Sequence, residues 1–586
     1  MRSFLSTAVP LVLAAFSATV ANAAIVEHWW NITYTTANPD GLKERRVIGV
    51  NGTWPPPVVE VTINDTLRIH THNGLDEPTA LHAHGMFQNG TGWMDGPSMV
   101  TQCPIPAGGD LTYEFNITQT GSYWIHGHYM GQYMDGLRTP FILHNSPEAY
   151  DYDEDIVVPL YDWYHDQSAD NLDVFLNQYN PTGAEPVPQS GVIMDSADAS
   201  FNFVPGKTYR LRLINMSGFS MFYVSIDGHD LDVIEIDGVD TVRKTQKSVY
   251  VTAAQRVSVL VTAKNSTDTN YYFRADMDTD MFDVLPEDLE YNIAAPVYYD
   301  QSHSNFSSSD DLGMASEFDD LLMNTLVPAA AVEPDHQVNL TIDFQVTTDG
   351  INRGMFNEVP YLAPKTPSLN TMLFQGNHSL EKSVYGPQSQ AIILNHLDMV
   401  EIVLNNLDAG AHPFHLHGHV FQLVARGDGV FDGDRSKVDW VLDNPLQRDT
   451  VQVPAESYTI IRFRADNPGA WFFHCHIEWH LESGLAAVMI EAPDVAQQRL
   501  TLPQAFQDMC EAGGYSTTGN GAGKDGLDLS GAPNGIYLIY DGFTAKGKGA
   551  MAACIIAALI GIGTIIWYAI ADPEKKAREI REAKGQ

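Results

Sequence analysis

Cysteine is scarce, with four in 586 residues, too few for a fold stapled by disulfides. No C-x-x-C pair occurs, which disfavours a structural zinc site. Basic residues are few as well. Against 33 Lys and Arg stand 73 Asp and Glu, a formal net charge of −40. A surface that attracts nucleic acid as a whole is excluded, because phosphates would be repelled. The acid excess favours a soluble, extracellular surface and suits a cationic substrate. Only 18% of residues are charged while 44% are hydrophobic, so this is not a disordered acidic chain. Long apolar runs of 3.6-residue period are rare in the body. The length calls for about three or four domains at roughly 100–200 residues each.

What is present begins at the two ends. Residues 1–23 read as a signal peptide: Arg2, an apolar run over 8–15, and small residues Ala21 and Ala23 before the cut. Ten N-x-S/T sequons follow, among them Asn31, Asn51, Asn339 and Asn377. With a signal peptide they indicate a glycosylated secretory protein. Residues 549–571 carry no charge and are long enough to cross a bilayer. Trp567 and Tyr568 suit its interfacial belt, and Lys575, Lys576, Arg578, Arg581 and Lys584 make the 572–586 flank cytoplasmic. A lipid-anchor signal would normally end in its apolar tail. The expectation is a single-pass type I membrane protein, with residues 513–548, rich in Gly and Ser/Thr, as a stalk.

Between the ends, short β-branched and aromatic runs alternate with Gly, Pro, Asn and Asp, as at 58–63, 208–214, 257–263 and 458–463. The pattern predicts an all-β fold of consecutive sandwiches. Internal repeats sharpen it. The stretch from Phe115 through Gly121 to His126-Gly127-His128 matches that from Phe463 through Gly469 to His474-Cys475-His476. His82-Ala83-His84-Gly85 matches His415-Leu416-His417-Gly418, and in the middle Ser225 and Asp227 stand where His415 and His417 stand. Three related domains are implied, the first and last carrying ligands.

Four histidine clusters carry the chemistry: His82-x-His84, His126-x-His128, His412-x-x-His415-x-His417, and His474-Cys475-His476 with His480. On a strand, residues i and i+2 share a face, so each H-x-H aims two imidazoles at one place. A lone pair of this kind is a weak signal, and His70-x-His72 is given no role. In His474-Cys475-His476 the thiol must point away from both neighbours. Cys475 with His412 and His480 forms the two-histidine, one-thiolate set of a blue, or type 1, copper site. Eight imidazoles remain, which divide over three coppers.

These motifs resemble those of the multicopper oxidases over residues 24–513. The resemblance implies three cupredoxin-like Greek-key β-sandwich domains, at 24–147, 148–300 (without copper ligands) and 301–512, followed by the stalk (513–548), one transmembrane helix (549–571) and the tail (572–586). It implies four coppers per chain. His82 and His415 would hold the type 2 copper, and His84, His126, His128, His417, His474 and His476 the type 3 pair. The type 1 axial position falls at Leu485, which cannot ligate, so the copper's potential should be high. Asp95 and Glu478 match acids that supply protons for O2 reduction. Cys103 and Cys510 match a disulfide between the first and third domains. Cys554 lies in the span.

The reductant is set by the pocket beside the type 1 histidines. Glu185, Asp283, Tyr361 and Asp408 in their local contexts resemble the iron-oxidation site of fungal plasma-membrane ferroxidases, which pass ferric iron to a membrane iron permease. The expected reaction is oxidation of four Fe2+, one at a time, with reduction of O2 to two waters. Electrons would run from the type 1 copper through Cys475 to His474 and His476. The alternatives are a membrane-tethered laccase acting on phenols, a cuprous oxidase, an internal-membrane ferroxidase and a non-enzymatic copper-binding protein. Whether the membrane is plasma or internal, and which sequons are used, stays open at this level.

Overall fold

The computed structural model describes residues 23–287, 289–307, 318–539 and 545–585. All but the last residue of the expected signal peptide lies outside the described residues. Contacts divide the chain into two compact units, up to Tyr537 and from Leu538 onward.

The first unit is three pairs of β-sheets in chain order. The first pair comprises a sheet ordered Arg45–Val50, Ile25–Ala37, Thr66–Asn73, Asp110–Asn116 and a sheet ordered Val59–Thr62, Arg138–His144, Gly121–Gly127, Leu81–His84. The second and third pairs, spanning Glu154–Trp163 to Asn292–Tyr298 and His336–Val346 to Ala486–Glu491, have six and five strands each. Parallel neighbours recur at equivalent places: Ile25–Ala37 with Thr66–Asn73, Glu154–Trp163 with Thr208–Asn215, and His336–Val346 with Met399–Asn406. Parallel neighbours require crossovers rather than hairpins, so the sequence repeats are topological repeats.

Outer strands obey the period of two. In Asp110–Asn116, Leu111, Tyr113 and Phe115 enter the core while Asp110, Glu114 and Asn116 face out. The strands carrying the histidine motifs break that alternation. Gly121–Gly127, His412–Leu416 and Gly469–Cys475 are buried at every residue, because both faces are covered. In the middle sandwich the position equivalent to His417 is Asp227, which is buried and accepts from Arg274 Nε at 2.8 Å. An ion pair occupies the place of ligands there.

Cys103 and Cys510 form a disulfide with Cα atoms 5.2 Å apart. It fastens the helix Gln504–Ala512 to the first sandwich, whose core takes in Phe506 and Met509. The expected stalk is corrected over its first part. Residues 513–537 run along the third sandwich: Asn370 and Thr371 side chains donate to the carbonyls of Thr517 and Gly519, Gly521 N–H donates to Val384 O, and Asn520 is fully buried. At Gly521 the missing side chain serves close backbone contact, with backbone of Gly386 and Tyr385 within 2.7 Å of where a Cβ would sit.

In the second unit the helix Ala545–Ile570 is 26 residues long. An 18-residue window within Lys546–Ile570 has mean hydropathy 2.3. At ~1.5 Å per residue the helix exceeds a ~30 Å hydrocarbon core. The helix starts at Ala545 rather than at Gly549. A second helix, Pro573–Ala583, is capped by Asp572, whose carboxylate accepts from Glu574 N–H at 3.0 Å.

Candidate metal centre

The first and third sandwiches bring their motifs together through strand register. Leu81–His84 pairs with Gly121–Gly127 so that His82 faces His126. His412–Leu416 pairs with Gly469–Cys475 so that His415 faces His474 and Phe414 faces Cys475. Eight imidazoles converge. His82 lies over His417 (ring centroids 4.1 Å), His84 stacks on His415 (3.8 Å), His126 meets His476 (5.5 Å) and His128 meets His474 (5.4 Å). Three triads have nitrogens within 4.8 Å of one another: His82, His415 and His417; His82, His84 and His126; His128, His417 and His474.

Hydrogen bonds decide which nitrogen faces inward. Backbone carbonyls only accept, so the Nδ1–H of His82, His126, His415 and His474 donates to Asp95 O, Gly127 O, Asp449 O and Cys475 O at 2.6 to 2.9 Å. Their Nε2 lone pairs are left for the cluster. His417 Nδ1 meets Asp95 Oδ2 at 2.8 Å. His84 is reversed: its Nε2 meets Asp449 Oδ1 at 3.2 Å, and Nδ1 faces inward. Burial first, then neighbouring imidazoles, hold His84, His126, His128, His417 and His476 well below the usual histidine range. They are neutral, the form that ligates. Among the described residues, buried His82 Nε2, His84 Nδ1, His126 Nε2, His415 Nε2 and both His476 nitrogens have no partner. Unpartnered buried nitrogens are costly unless a metal takes them, so the donor set fits bound copper.

On the opposite face of the His474-Cys475-His476 strand, Cys475 Sγ lies 3.5 Å from His480 Nδ1 and 3.9 Å from His412 Nδ1, and those two nitrogens are 3.0 Å apart. Phe344 covers both rings. Leu485 is fully buried, its carbonyl accepting from Cys475 N–H and its N–H donating to His480 O. Burial, then the carboxylates of Glu185 and Asp408, push the Cys475 thiol up, so a thiolate there requires a bound cation. This set of two imidazoles and one sulfur fits copper as well.

The outer nitrogens of the same two histidines reach carboxylates. His480 Nε2 lies 2.8 Å from Glu185 Oε1, and His412 Nε2 lies 3.2 Å from Asp408 Oδ2. Both acids line an open cavity of about 200 Å³ with Asp283, Asp280, Met281 and Phe344. Burial opposes ionisation of Asp408, yet the His412 hydrogen bond and Gly410 N–H hold its carboxyl below the usual range. Tyr361 is a correction: it does not line this cavity. It packs on Phe472, at 5.2 Å between centroids, on the side of the histidine cluster. Its loop is tied instead to Gly484 by a backbone hydrogen bond. Asp280 was missed; its only signal was nearness to Asp283.

Asp95 is wholly buried against His82 and His417. Glu478 lines a small cavity, about 30 Å³, with His126, His128, His474 and His476. Burial and then Glu482 push its carboxyl well up. Glu482, one helical turn on, is pushed up to about 7 by burial, and it too was missed. So was Asp449, held by a bidentate pair with Arg256 of the middle sandwich at 2.7 and 2.6 Å; no local pattern marks either residue.

The multicopper oxidase family matches the chain at residues 31–148, 154–301 and 361–495. The chain is 43% identical to the iron multicopper oxidase fer1 of Mycosarcoma maydis, over 94% of this chain and 93% of that protein. It is 43% identical to the iron transport multicopper oxidase fio1 of Schizosaccharomyces pombe, over 92% and 88%. The crystal structure of Fet3p, a multicopper oxidase that functions in iron import, matches with a TM-score of 0.83 at 37% identity, covering 89% of this chain and 100% of that one. The laccase from Botrytis aclada matches at 0.75 and 30%, covering 84% and 92%.

Proposed function

This chain belongs to the multicopper oxidase family, and from that membership we propose that it is a membrane-anchored ferroxidase, oxidising Fe2+ with O2 as the electron acceptor. One observation carries the choice of reductant: the outer nitrogens of His480 and His412 are each bonded to a carboxylate, Glu185 and Asp408, that lines an open cavity. A laccase fold alone does not explain a cavity with four carboxylates, from Glu185, Asp280, Asp283 and Asp408. Hard carboxylate oxygens hold Fe3+ more strongly than Fe2+. Binding there makes the ferrous ion a better donor.

The residues then have distinct tasks. Copper bound at the cysteine–histidine set and at the histidine cluster would supply one-electron oxidation at the first and O2 reduction at the second. Glu185 and Asp408 take the ferrous ion on one side and accept from the imidazole N–H groups on the other, which keeps each Nδ1 turned to Cys475. Cys475, His474 and His476 are consecutive, so peptide bonds alone join the two sets. Phe344 and Leu485 keep water from Cys475. Asp95 orients His82 and His417, and Glu478 holds a proton beside His126 and His476. We assign one type 1 copper to His412, Cys475 and His480, a type 2 copper to His82 and His415, and a type 3 pair to the other six histidines. The helix through Lys546–Ile570 anchors the chain, with the body outside the plasma membrane delivering ferric iron to a permease.

A second reading, Cu+ as a further substrate, has its own support: the soft thioether of Met281 lines the same cavity. The ferroxidase reading is tested by O2 consumption of copper-loaded enzyme with Fe2+ and with a phenol. Glu185→Ala/Asp408→Ala should lose Fe2+ turnover and keep phenol turnover; unchanged Fe2+ turnover would make the chain a tethered laccase.

A further inference from the structure

His70-x-His72 takes no part in the copper sets, yet its place in the fold is specific. It lies on the strand Thr66–Asn73, between Ile25–Ala37 and Asp110–Asn116. Register puts Trp29, His70 and Thr112 in one row across the sheet, and Asn31, His72 and Asp110 in the next. Residues i and i+2 share a face, so all six side chains stand on the outer face of this sheet. They line an open cavity of about 310 Å³.

Trp29 is 68% exposed, unusual for the largest apolar side chain. It does not hang free. Its ring stacks on His70, with centroids 3.8 Å apart and planes 17° from parallel. His70 is in turn held by Thr112 Oγ1 at 3.1 Å from Nδ1, and His72 Nδ1 pairs with Asp110 Oδ1 at 2.8 Å. The result is a fixed aromatic platform with a polar row alongside.

Asn31 opens the sequon Asn31-Ile32-Thr33. Two residues along a strand span about 7 Å, the reach of one amide and one sugar ring. The Asn31 side chain is exposed and its amide makes no hydrogen bond among the described residues. The neighbouring sequon residue Asn51 differs: its Oδ1 accepts from Asn31 N–H at 2.9 Å and its Nδ2 donates to Trp29 O at 2.8 Å. Asn51 is committed to pinning the strand, and Asn31 is available.

We propose that Asn31 carries an N-linked glycan whose first N-acetylglucosamine lies across Trp29, its C–H face on the indole and its polar groups toward His72 and Asp110. The inference rests on the secretory routing of the chain. A pyranose matches the platform because one ring face is apolar and the edge is polar, as the site is. The docked sugar covers an apolar ring that would otherwise be exposed on an outer sheet face.

The test uses the full chain secreted from a fungal host. Glycopeptides released by amidase in heavy-oxygen water identify occupied sequons. Asn31 should be occupied. Native-state amidase release at Asn31 should then be about fivefold or more faster in Trp29→Ala, and near wild type in Trp29→Phe, with release at Asn339 unchanged in both. Other sequons occupied with Asn31 bare would overturn the proposal alone. No glycan anywhere would overturn the secretory reading with it. Equal release from wild type and Trp29→Ala would overturn the docking.

Discussion

Replacing Arg256 by leucine tests whether the middle sandwich holds the histidine cluster in place. Arg256 is fully buried and makes a bidentate pair with Asp449 at 2.7 and 2.6 Å, while its Nε donates to Ser122 O of the first sandwich at 3.0 Å. Asp449 in turn meets His84 Nε2 through its carboxylate and His415 Nδ1 through its carbonyl. One guanidinium thus joins all three sandwiches beside the ligands. Gly85 leaves it room, since a Cβ there would lie 2.6 Å from Asp449 Oδ2 and 2.8 Å from the Arg256 guanidinium. Removing one partner of a buried pair costs about 3–5 kcal/mol. Arg256→Leu should lose that much in denaturant unfolding of the copper-free protein. Asp449→Asn added to it should restore part of the loss, with a coupling of at least about 1 kcal/mol.

The pH dependence gives an independent sign. In the wild type, burial would raise the Asp449 carboxyl, but Arg256 overrides it and holds it well below the usual range. That stability is present above the unfolded pKa of about 3.9 and lost as pH falls through the lower folded value. Without Arg256, the main influence opposing burial is gone and only His84 and His415 still favour the carboxylate, so the folded pKa rises and less of that stability remains as pH rises. The difference between variant and wild type should therefore grow from acid to neutral pH. Copper content and the type 2 electron paramagnetic signal should fall in the variant. Equal unfolding midpoints and equal copper loading would refute the clamp.

Three further outcomes follow from the geometry. Asp280→Asn should raise the KM for Fe2+ severalfold, whereas Tyr361→Phe, outside the cavity, should leave KM unchanged in steady-state O2 consumption. Met281→Leu should lower Cu+ turnover and spare Fe2+ turnover in the same assay. Burial raises the Glu482 carboxyl from 4.5 to about 7, so the native protein binds more protons than the unfolded chain between those values. Stability of the copper-free protein should fall as pH rises through that window, and Glu482→Gln should flatten the slope in thermal unfolding.

The histidine and cysteine motifs that converge in the structure were legible because their spacing is a local property. Two residues apart on a strand means one shared face, and three consecutive ligand types mean two opposite faces. The long apolar stretch before a basic tail was legible for a similar reason, since length and polarity suffice to span a bilayer. The composition of 513–537 misled, because Gly suits close backbone packing on the third sandwich as well as flexibility.

By itself, the chain's order of residues determined the repeating strand pattern, the faces on which histidines stand, and the turning of Cys475 to the face opposite His474 and His476. Only the tertiary structure decided what touches them. Glu185 and His480 are 295 residues apart and Asp449 and Arg256 are 193, and no short-range periodicity relates positions so distant. Their meeting depends on how three sandwiches dock, as does the placing of Tyr361 on Phe472 instead of in the cavity. Packing between sheets sums many weak contacts over the whole surface, so the neighbours of a site are settled by the fold as a unit and not by any motif within it.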